Sequence, residues 1–89
     1  MLDVIVPCYN EEKVIEDFYN KTKESLKNIK HNFIFINDGS NDKTLEKLKN
    51  IYNNNKECIK IINFSRNFGK ESAIQAGLKY SKGKYQCLI

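Results

Sequence analysis

The sequence predicts a three-layer α/β/α fold, in which a parallel sheet lies between helices on both of its faces. Short apolar segments alternate with segments whose apolar residues recur at helical spacing, and this alternation runs along the whole chain. Polar loops follow the first three apolar segments. Right-handed crossovers between such strands give a Rossmann-like sheet, with the loops after the strands gathered at one edge.

The chain begins with a predicted strand and a long predicted helix. The strand covers residues 2–6 and ends at Pro7, the only proline, which has no amide hydrogen for a sheet ladder. The helix is expected over residues 11–29, with acidic residues near its start, where they suit the helix dipole. One face of it carries the apolar or small side chains of Val14, Ile15, Phe18, Thr22, Leu26 and Ile29.

A second strand and a second helix follow. The strand is predicted over residues 32–37, and the helix over residues 42–53, with Ser40 or Asn41 as its N-terminal cap. Asp38 and Gly39 lie between the two, so an acidic side chain follows a buried strand just before a tight turn. Ligands bind at this position in open α/β sheets.

The last part of the chain predicts strand, helix and strand. The strand is expected over residues 58–64 and the helix over residues 70–81, with Gly83 after its end and a fourth strand at residues 85–89. The expected packing set of this helix is Ala73, Ile74, Gly77, Leu78 and Tyr80.

Length and composition indicate one soluble domain or part of one. The chain has 89 residues, of which 40% are hydrophobic and 29% are charged. No apolar run approaches the roughly 20 residues that cross a bilayer. The start lacks the basic flank of a signal peptide, so we expect a cytoplasmic protein.

Charge and cysteine usage exclude two classes of function. The net charge is +4, but the lysines alternate with acidic residues along predicted helices, which favours solvated helix faces over a nucleic-acid site. Three cysteines lie far apart beside a single histidine, so no zinc site is predicted and the thiols are expected to be reduced. Cys8 is placed either in a site or in the core.

Arg66 is the only arginine among 15 basic residues. Lysine supplies positive charge everywhere else, so a single arginine suggests a position that needs a planar group with several donors.

Three predicted loops should meet at the carboxyl edge of the sheet. They contain an aromatic ring, two carboxylates, an amide, a guanidinium and an ammonium group, contributed by Tyr9, Glu11, Asp38, Asn10, Arg66 and Lys70. An aromatic ring or a guanidinium can stack on a base, and a carboxylate can accept a hydrogen bond from a base N–H or a ribose hydroxyl. A lysine or arginine near a helix start can bind phosphate. We therefore expect a nucleotide site, with Asp38 and Arg66 facing each other across one cleft. No G-x-G-x-x-G motif follows the first strand, which argues against a dehydrogenase-type dinucleotide site.

At these residues the chain resembles the family 2 glycosyltransferases, the inverting group with the GT-A fold. The matching segments are Val-Ile-Val-Pro-Cys-Tyr-Asn-Glu at 4–11, Asn-Asp-Gly-Ser-Asn-Asp-Lys-Thr at 37–44, and a segment at 64–78 that begins Phe-Ser-Arg-Asn-Phe-Gly-Lys. The third segment looks most like the polyprenyl-phosphate branch, which includes dolichyl-phosphate mannose synthase and bactoprenol glucosyltransferases.

The resemblance implies a donor in which a sugar is linked to a nucleoside diphosphate, UDP or GDP. Base and ribose would be framed by Pro7, Tyr9, Asn10 and Glu11. Asp38 matches the acid of this family that contacts the base, Arg66 matches a basic residue of the donor pocket, and Lys70 is expected near the diphosphate. One departure is Asn37, where many members carry a second acid.

The resemblance also implies parts that the sequence lacks. The metal-binding Asp-x-Asp of the family would follow Ile89, so Mg²⁺ or Mn²⁺ is expected only for a longer enzyme, and no catalytic or metal-binding residue is assigned here. We expect residues 1–89 to be the donor-binding amino-terminal part, inactive alone. The implied acceptor is a lipid phosphate or a glycan. The resemblance is compatible with a place at the cytoplasmic face of a membrane and with a homo-oligomer.

Two other functions fit the sequence. A short chain with the same pocket could bind a nucleotide without chemistry, as a sensor or decoy. An open sheet edge could instead serve pairing with another protein chain.

Overall fold

The computed structural model describes residues 1–83 and 85–88, in which strands and helices alternate. The elements are β1 (Leu2–Cys8), α1 (Ile15–Ser25), β2 (His31–Asp38), α2 (Thr44–Asn54), β3 (Ile59–Phe64), α3 (Lys70–Tyr80) and β4 (Tyr85–Leu88). The predicted order is confirmed; the predicted last strand residue, Ile89, lies outside the described residues. Within this part of the chain, no helix has the length and apolar character needed to span a bilayer.

The four strands form one parallel sheet in the order β3-β2-β1-β4. Leu2 of β1 is level with His31 of β2 and with Tyr85 of β4, and Phe33 of β2 is level with Ile59 of β3. Since the strands are parallel and nearly in step, the loops after β1, β2 and β3 emerge at the same edge.

Side chains alternate between the two faces of the sheet, as the period of a strand requires. One face packs under α1 and α2, and its buried residues include Val4, Val6, Phe33 and Phe35. The other face packs under α3 through Ile5, Ile34, Ile36 and Ala73. Helices therefore cover both faces, which confirms the three-layer α/β/α prediction.

The first strand is longer and the first helix shorter than predicted. Pro7 lies within β1, where it is level with Ile36 of β2. The last described pair between β1 and β4 is Ile5 with Leu88, so Pro7 lies beyond the described pairing with β4. Residues 11–14 form a turn closed by hydrogen bonds to the carbonyl of Glu11, and α1 begins only at residue 15.

The apolar face predicted for the first helix is centred differently in the structure. Ile15 and Tyr19 are buried, whereas Val14 and Ile29 are about half exposed. Val14 precedes the helix, and Ile29 lies in the turns that follow it, so neither keeps the helical register on which the predicted face depended.

The predicted caps of the second helix are wrong. No side-chain oxygen of Ser40 or Asn41 caps α2: the Ser40 hydroxyl oxygen accepts from Asn10 N instead, and the main-chain amide of Asn41 donates to Asn10 Oδ1. The main-chain N–H of Thr44, the first residue of α2, donates to Asp42 Oδ1 at 2.9 Å. Asp42 thus accepts from an N–H group that has no partner within the helix.

The third helix matches its prediction more closely. Ala73 and Gly77 are buried against the sheet, but Leu78 and Tyr80, predicted to pack, are about half exposed. A Cβ on Gly77 would lie 2.5 Å from Cγ2 of Ile5, so the small residue allows α3 to lie close to the sheet.

Asp3 fixes the connection between α3 and β4 at the amino edge of the sheet. Its side chain is buried, and Oδ2 accepts hydrogen bonds from the Ser81 hydroxyl, from Lys82 N at 2.9 Å and from Gly83 N at 2.6 Å. Burial raises the pKa of this carboxyl, but the hydrogen bonds from Ser81, Gly83 and Lys82 outweigh burial and hold the pKa below its ordinary value. Gly83, predicted to end the helix, serves this contact instead.

Candidate functional site

Three loops meet at the carboxyl edge of the sheet, as predicted. The first loop (residues 9–14) follows β1, the second loop (residues 39–43) follows β2, and the third loop (residues 65–69) follows β3. Polar contacts connect the first loop to the second, and Asp38 at the end of β2 to the third, so the three loops form one assembly.

Asn10 joins the first loop to the second. Its backbone is left-handed, with φ at 52°, a conformation that asparagine tolerates better than most residues. Its main-chain N–H donates to Ser40 Oγ at 3.0 Å, and its side-chain oxygen Oδ1 accepts from the main-chain N–H of Asn41 at 2.8 Å. The Asn10 side-chain oxygen, predicted to face a ligand, is thus used to hold the second loop.

The start of α2 holds the rest of the first loop. Thr44 is fully buried, and its hydroxyl oxygen accepts from Glu11 N at 2.8 Å while donating to Asp42. Asp42 also accepts from Glu12 N at 3.3 Å. These hydrogen bonds lower the pKa of Asp42, although desolvation works in the opposite direction.

Asp38 joins the second loop region to the third. It is only 3% exposed, and Oδ1 accepts from Phe68 N at 2.8 Å. Oδ2 accepts from Gly69 N at 3.1 Å and from Asn67 Nδ2 at 3.2 Å. The acid at the end of β2 therefore organises the third loop as well as facing the edge of the sheet.

Gly39 allows the second and third loops to touch. Its φ is +69°, and a Cβ built on it would lie 2.1 Å from the carbonyl carbon of Arg66 and 2.2 Å from Asn67 N. Beside this contact, Asn37 Nδ2 donates to Asn63 Oδ1 at 2.8 Å. Asn37, which departs from the second acid common in the resembled family, thus ties β2 to β3.

The largest group of predicted site residues lines one open cleft of about 270 Å³. Its walls bring an aromatic ring, two carboxyl groups and an ammonium group together, and are formed by Pro7, Cys8, Tyr9, Glu11, Asp38 and Lys70. Tyr9 is 45% exposed, so its ring is accessible to a ligand. Of the seven predicted residues, this cleft gathers five; Asn10 and Arg66 lie outside its lining.

Arg66 lines a second, more polar cleft of about 450 Å³, whose walls include residues of the second and third loops. Its guanidinium carbon lies 4.8 Å from the centre of the Phe68 ring, which packs edge-on against Phe64. Asp38 and Arg66 line separate clefts rather than the single one expected: the Asp38 carboxylate accepts from residues 67–69, while the Arg66 guanidinium packs over the Phe68 ring. Tyr9 lines both clefts and connects them.

Cys8 belongs to the core and to the cleft at once. It is 1% exposed and packs in the cluster beneath α1 and α2. Burial, with a smaller contribution from the Glu11 carboxylate, raises the pKa of the Cys8 thiol to about 12. The thiol is therefore protonated at neutral pH and does not act as a nucleophile.

Sequence reasoning missed the residues that connect the loops. Thr44, Asp42 and Asn67 make these contacts, and none was predicted to belong to the site. The one available signal was the density of short polar side chains after β2 and β3, which are typical of loops that bond to backbone groups.

The described residues contain no metal-binding cluster. Across residues 1–83 and 85–88, no group of three or more His, Cys, Asp and Glu side chains could hold a metal ion. Glu11 and Asp38 alone do not suffice for the divalent cation that the resemblance implies.

Curated relatives cover almost the whole chain. It is 45% identical over 84 residues to an uncharacterised glycosyltransferase of Synechocystis, covering 92% of this chain and 26% of that protein. It is 39% identical over 84 residues to a bactoprenol glucosyl transferase of Shigella phage SfV, covering 92% of this chain and 27% of that protein. The chain thus spans about a quarter of the length of these relatives, which include the predicted branch.

Solved structures share the fold. TarS of Staphylococcus aureus, residues 1–349, superposes with a TM-score of 0.84 at 27% identity, over 99% of this chain and 26% of TarS. A mannosyltransferase of Pyrobaculum calidifontis superposes with a TM-score of 0.79 at 22% identity, over 93% of this chain and 25% of that chain, which shows the fold alone. The predicted GT-A architecture is confirmed by these similarities. The family model described as Glycosyl transferase family 2 matches residues 3–89, and the chain belongs to this family.

Proposed function

We propose that residues 1–89 form the nucleotide-binding part of an inverting glycosyltransferase that uses a nucleoside diphosphate sugar as its donor. The observation that carries this proposal is the cleft at the carboxyl edge, where Tyr9, Asp38 and Lys70 stand together in a family 2 chain. One TarS structure, 27% identical to this chain, contains UDP. This ligand supports a nucleotide donor here.

The base and ribose of the donor would lie against the first loop. The exposed ring of Tyr9 offers a stacking surface, and Pro7 closes the cleft beside it. The Glu11 carboxylate can accept from ribose hydroxyl groups. Asn10 supports this wall through its contacts with the second loop.

Asp38 retains capacity to accept from a base. A carboxylate offers about four acceptor positions, and three protein donors occupy three of them. Because Oδ1 has one protein donor and Oδ2 has two, Oδ1 is the atom left to accept a base N–H.

Arg66, in the third loop, and Lys70, directly after it, suit the anionic part of the donor. Lys70 is the first residue of α3 and lines the cleft with Asp38, so it combines its own charge with the positive end of the helix dipole. Arg66 lies in the neighbouring cleft, where its donors can reach a donor substrate that extends past Tyr9.

The chemistry of transfer would be a single displacement at the anomeric carbon of the sugar, with inversion. The acceptor that we propose is a lipid phosphate or a glycan, at the cytoplasmic face of a membrane in the first case. Among the described residues no group of three or more His, Cys, Asp and Glu could hold a metal ion, and we assign the base for the acceptor to none of them. We propose that the longer enzyme provides the base and an Asp-x-Asp for Mg²⁺ or Mn²⁺ beyond Ile89.

Calorimetric titration of the chain with UDP and GDP tests the nucleotide site. We expect saturable binding of one of them, and we expect Lys70→Ala to weaken it about tenfold, the value of one charge-assisted hydrogen bond. The matched control is Lys56→Ala, at the amino edge of the sheet, which should leave the affinity unchanged. Absence of binding by the folded wild-type chain, or equal losses in both variants, would contradict the proposal.

A second candidate function is pairing with another protein chain. β4 is the edge strand of the described sheet, and its side chains Tyr85 and Leu88 are 60% and 52% exposed. Such an edge can pair with another strand. Calorimetry separates the two functions, because a pure interaction module binds neither UDP nor GDP.

A further inference from the structure

We propose that Asn67 is a positioning residue of the nucleotide site, which orients the Asp38 carboxylate so that Oδ1 can accept the N–H of a base. This inference rests on the proposed function and adds a residue to which no role was assigned. Asn67 Nδ2 donates both to the main-chain oxygen of Asp38 at 3.1 Å and to Asp38 Oδ2 at 3.2 Å. The side-chain amide of Asn67 therefore holds both the main chain and the carboxylate of Asp38.

The donors around Asp38 divide unequally between its two oxygens. Among the described residues, Oδ2 accepts from Asn67 and from Gly69 N, whereas Oδ1 accepts from Phe68 N alone. With Oδ2 filled, the remaining acceptor position of the carboxylate is on Oδ1. Without Asn67, Oδ2 regains a free position, and only two backbone donors hold the rotation of the carboxyl group.

Of the three described groups that donate to the Asp38 carboxylate, Asn67 is the one that contributes a side chain, so it can be replaced without altering Asp38 or the main chain. The other donors are the backbone amides of Phe68 and Gly69, which no side-chain substitution removes. The contact of Gly39 with the third loop also remains when the Asn67 side chain is shortened, because that contact is between main-chain atoms. The loop should therefore stay folded in Asn67→Ala while the orientation of the carboxylate is lost.

The experiment compares a nucleotide with an analogue that lacks the base N–H. We use UDP and N3-methyl-UDP, or GDP and N1-methyl-GDP if the wild-type chain binds GDP. We expect the wild-type chain to prefer the unmethylated nucleotide about tenfold or more, the value of one hydrogen bond to a charged group. In Asn67→Ala, the preference should fall to about twofold, because a misoriented carboxylate no longer recognises the N–H.

The matched control is Asn53→Ala, which makes the same substitution in the last turn of α2, away from the three loops. It should keep the wild-type preference. Circular dichroism establishes that each variant is folded; if Asn67→Ala is not, Asn67→Ser carries the same expectation.

The outcomes separate this inference from the proposed function. If the wild-type chain binds no nucleotide, the proposed function fails. If the wild-type chain prefers the unmethylated nucleotide and folded Asn67→Ala keeps that preference, Asn67 has no positioning role. A purely structural role would lower affinity for both nucleotides equally and leave the preference intact, which would also overturn the inference.

Discussion

The α-carbon of Gly39 lies against the main chain of the third loop, and a methyl group has no space there. Gly39→Ala would bring Cβ to 2.1 Å from the carbonyl carbon of Arg66, at a φ of +69° that side chains rarely adopt. The carbonyl carbon of Arg66 and the nitrogen of Asn67, the atoms nearest to this Cβ, both belong to the backbone. The second and third loops would therefore have to move apart. We expect a loss of about 3 kcal/mol or more in the free energy of unfolding, measured by urea denaturation.

Gly69→Ala is the control for Gly39→Ala. Gly69 also has a positive φ, of +102°, but nothing lies within 4 Å of the position that a Cβ would take there, so only backbone strain opposes the methyl group. The expected loss is about 1–2 kcal/mol. Equal losses at the two glycines would show that the close approach of the loops does not matter for stability.

Asp3 should make stability depend on pH in acid. Its pKa is lowered in the folded chain, so its contribution is present above the unfolded value of about 3.9 and is lost as the pH falls through the folded value. At pH 7 we expect Asp3→Asn to cost about 1–3 kcal/mol, because the amide accepts fewer hydrogen bonds than the carboxylate. The difference from wild type should shrink in urea denaturation at pH 3.

Asp17→Asn is the matched control for the acid dependence. Asp17 pairs with Lys21 on the exposed surface of α1, where such pairs contribute little. A pH profile of Asp3→Asn that runs parallel to wild type down to pH 2 would contradict the role assigned to the Asp3 carboxylate.

The first loop and the start of α2 depend on each other. Thr44→Val keeps the shape of the buried side chain but removes the oxygen that accepts from Glu11 N and the hydroxyl hydrogen that Asp42 accepts. We expect a loss of about 1–3 kcal/mol and faster hydrogen exchange at the Glu11 amide, measured by NMR. Thr22→Val, on α1 and outside the loops, is the control, and unchanged exchange at Glu11 in Thr44→Val would contradict this dependence.

The position of α1 and α2 shows what the sequence could and could not predict. Alternating apolar patterns predicted the existence and order of every strand and helix among the described residues. They did not predict that α1 would begin at Ile15, because Glu11 N and Glu12 N donate to groups about thirty positions away. The caps assigned from local pattern also failed, since the Ser40 hydroxyl accepts from Asn10 N and the Asn41 main-chain amide is held by Asn10 Oδ1, both contacts across about thirty positions.

The sequence predicted where in the fold the candidate site lies, but not how its side chains are oriented. Parallel strands bring the loops to one edge whatever their side chains do, so Tyr9, Glu11 and Lys70 lie together as expected. The direction of a side chain within the edge depends on tertiary hydrogen bonds. Asp38 accepts from residues 67–69, and the Arg66 guanidinium packs over the Phe68 ring; no local pattern contains that information.

Across residues 1–83 and 85–88, the carboxyl edge and the amino edge of the sheet differ in what they carry. The carboxyl edge carries the connected loops and the cleft, whereas the amino edge carries the Asp3 contacts and a separate cleft bordered by Lys56, Lys60 and Lys82. Both edges have lysines, so positive charge alone would not decide where an anionic nucleotide binds. The amino-edge cleft also contains an aromatic ring and a carboxylate, but Lys60 lies over the Tyr80 ring and Asp3 Oδ2 already accepts three protein donors. Our proposal of the carboxyl edge therefore rests on the exposed Tyr9 ring and on the acceptor position left on Asp38.

An NMR titration of the ¹⁵N-labelled chain with UDP, and with GDP in parallel, tests this account most directly. We predict saturable shifts confined to the amides of the first, second and third loops and to the start of α3. The amides around Lys56 and Lys60 should not move. Shifts centred on the amino edge of the sheet, or no shift at any amide with either nucleotide, would contradict the account.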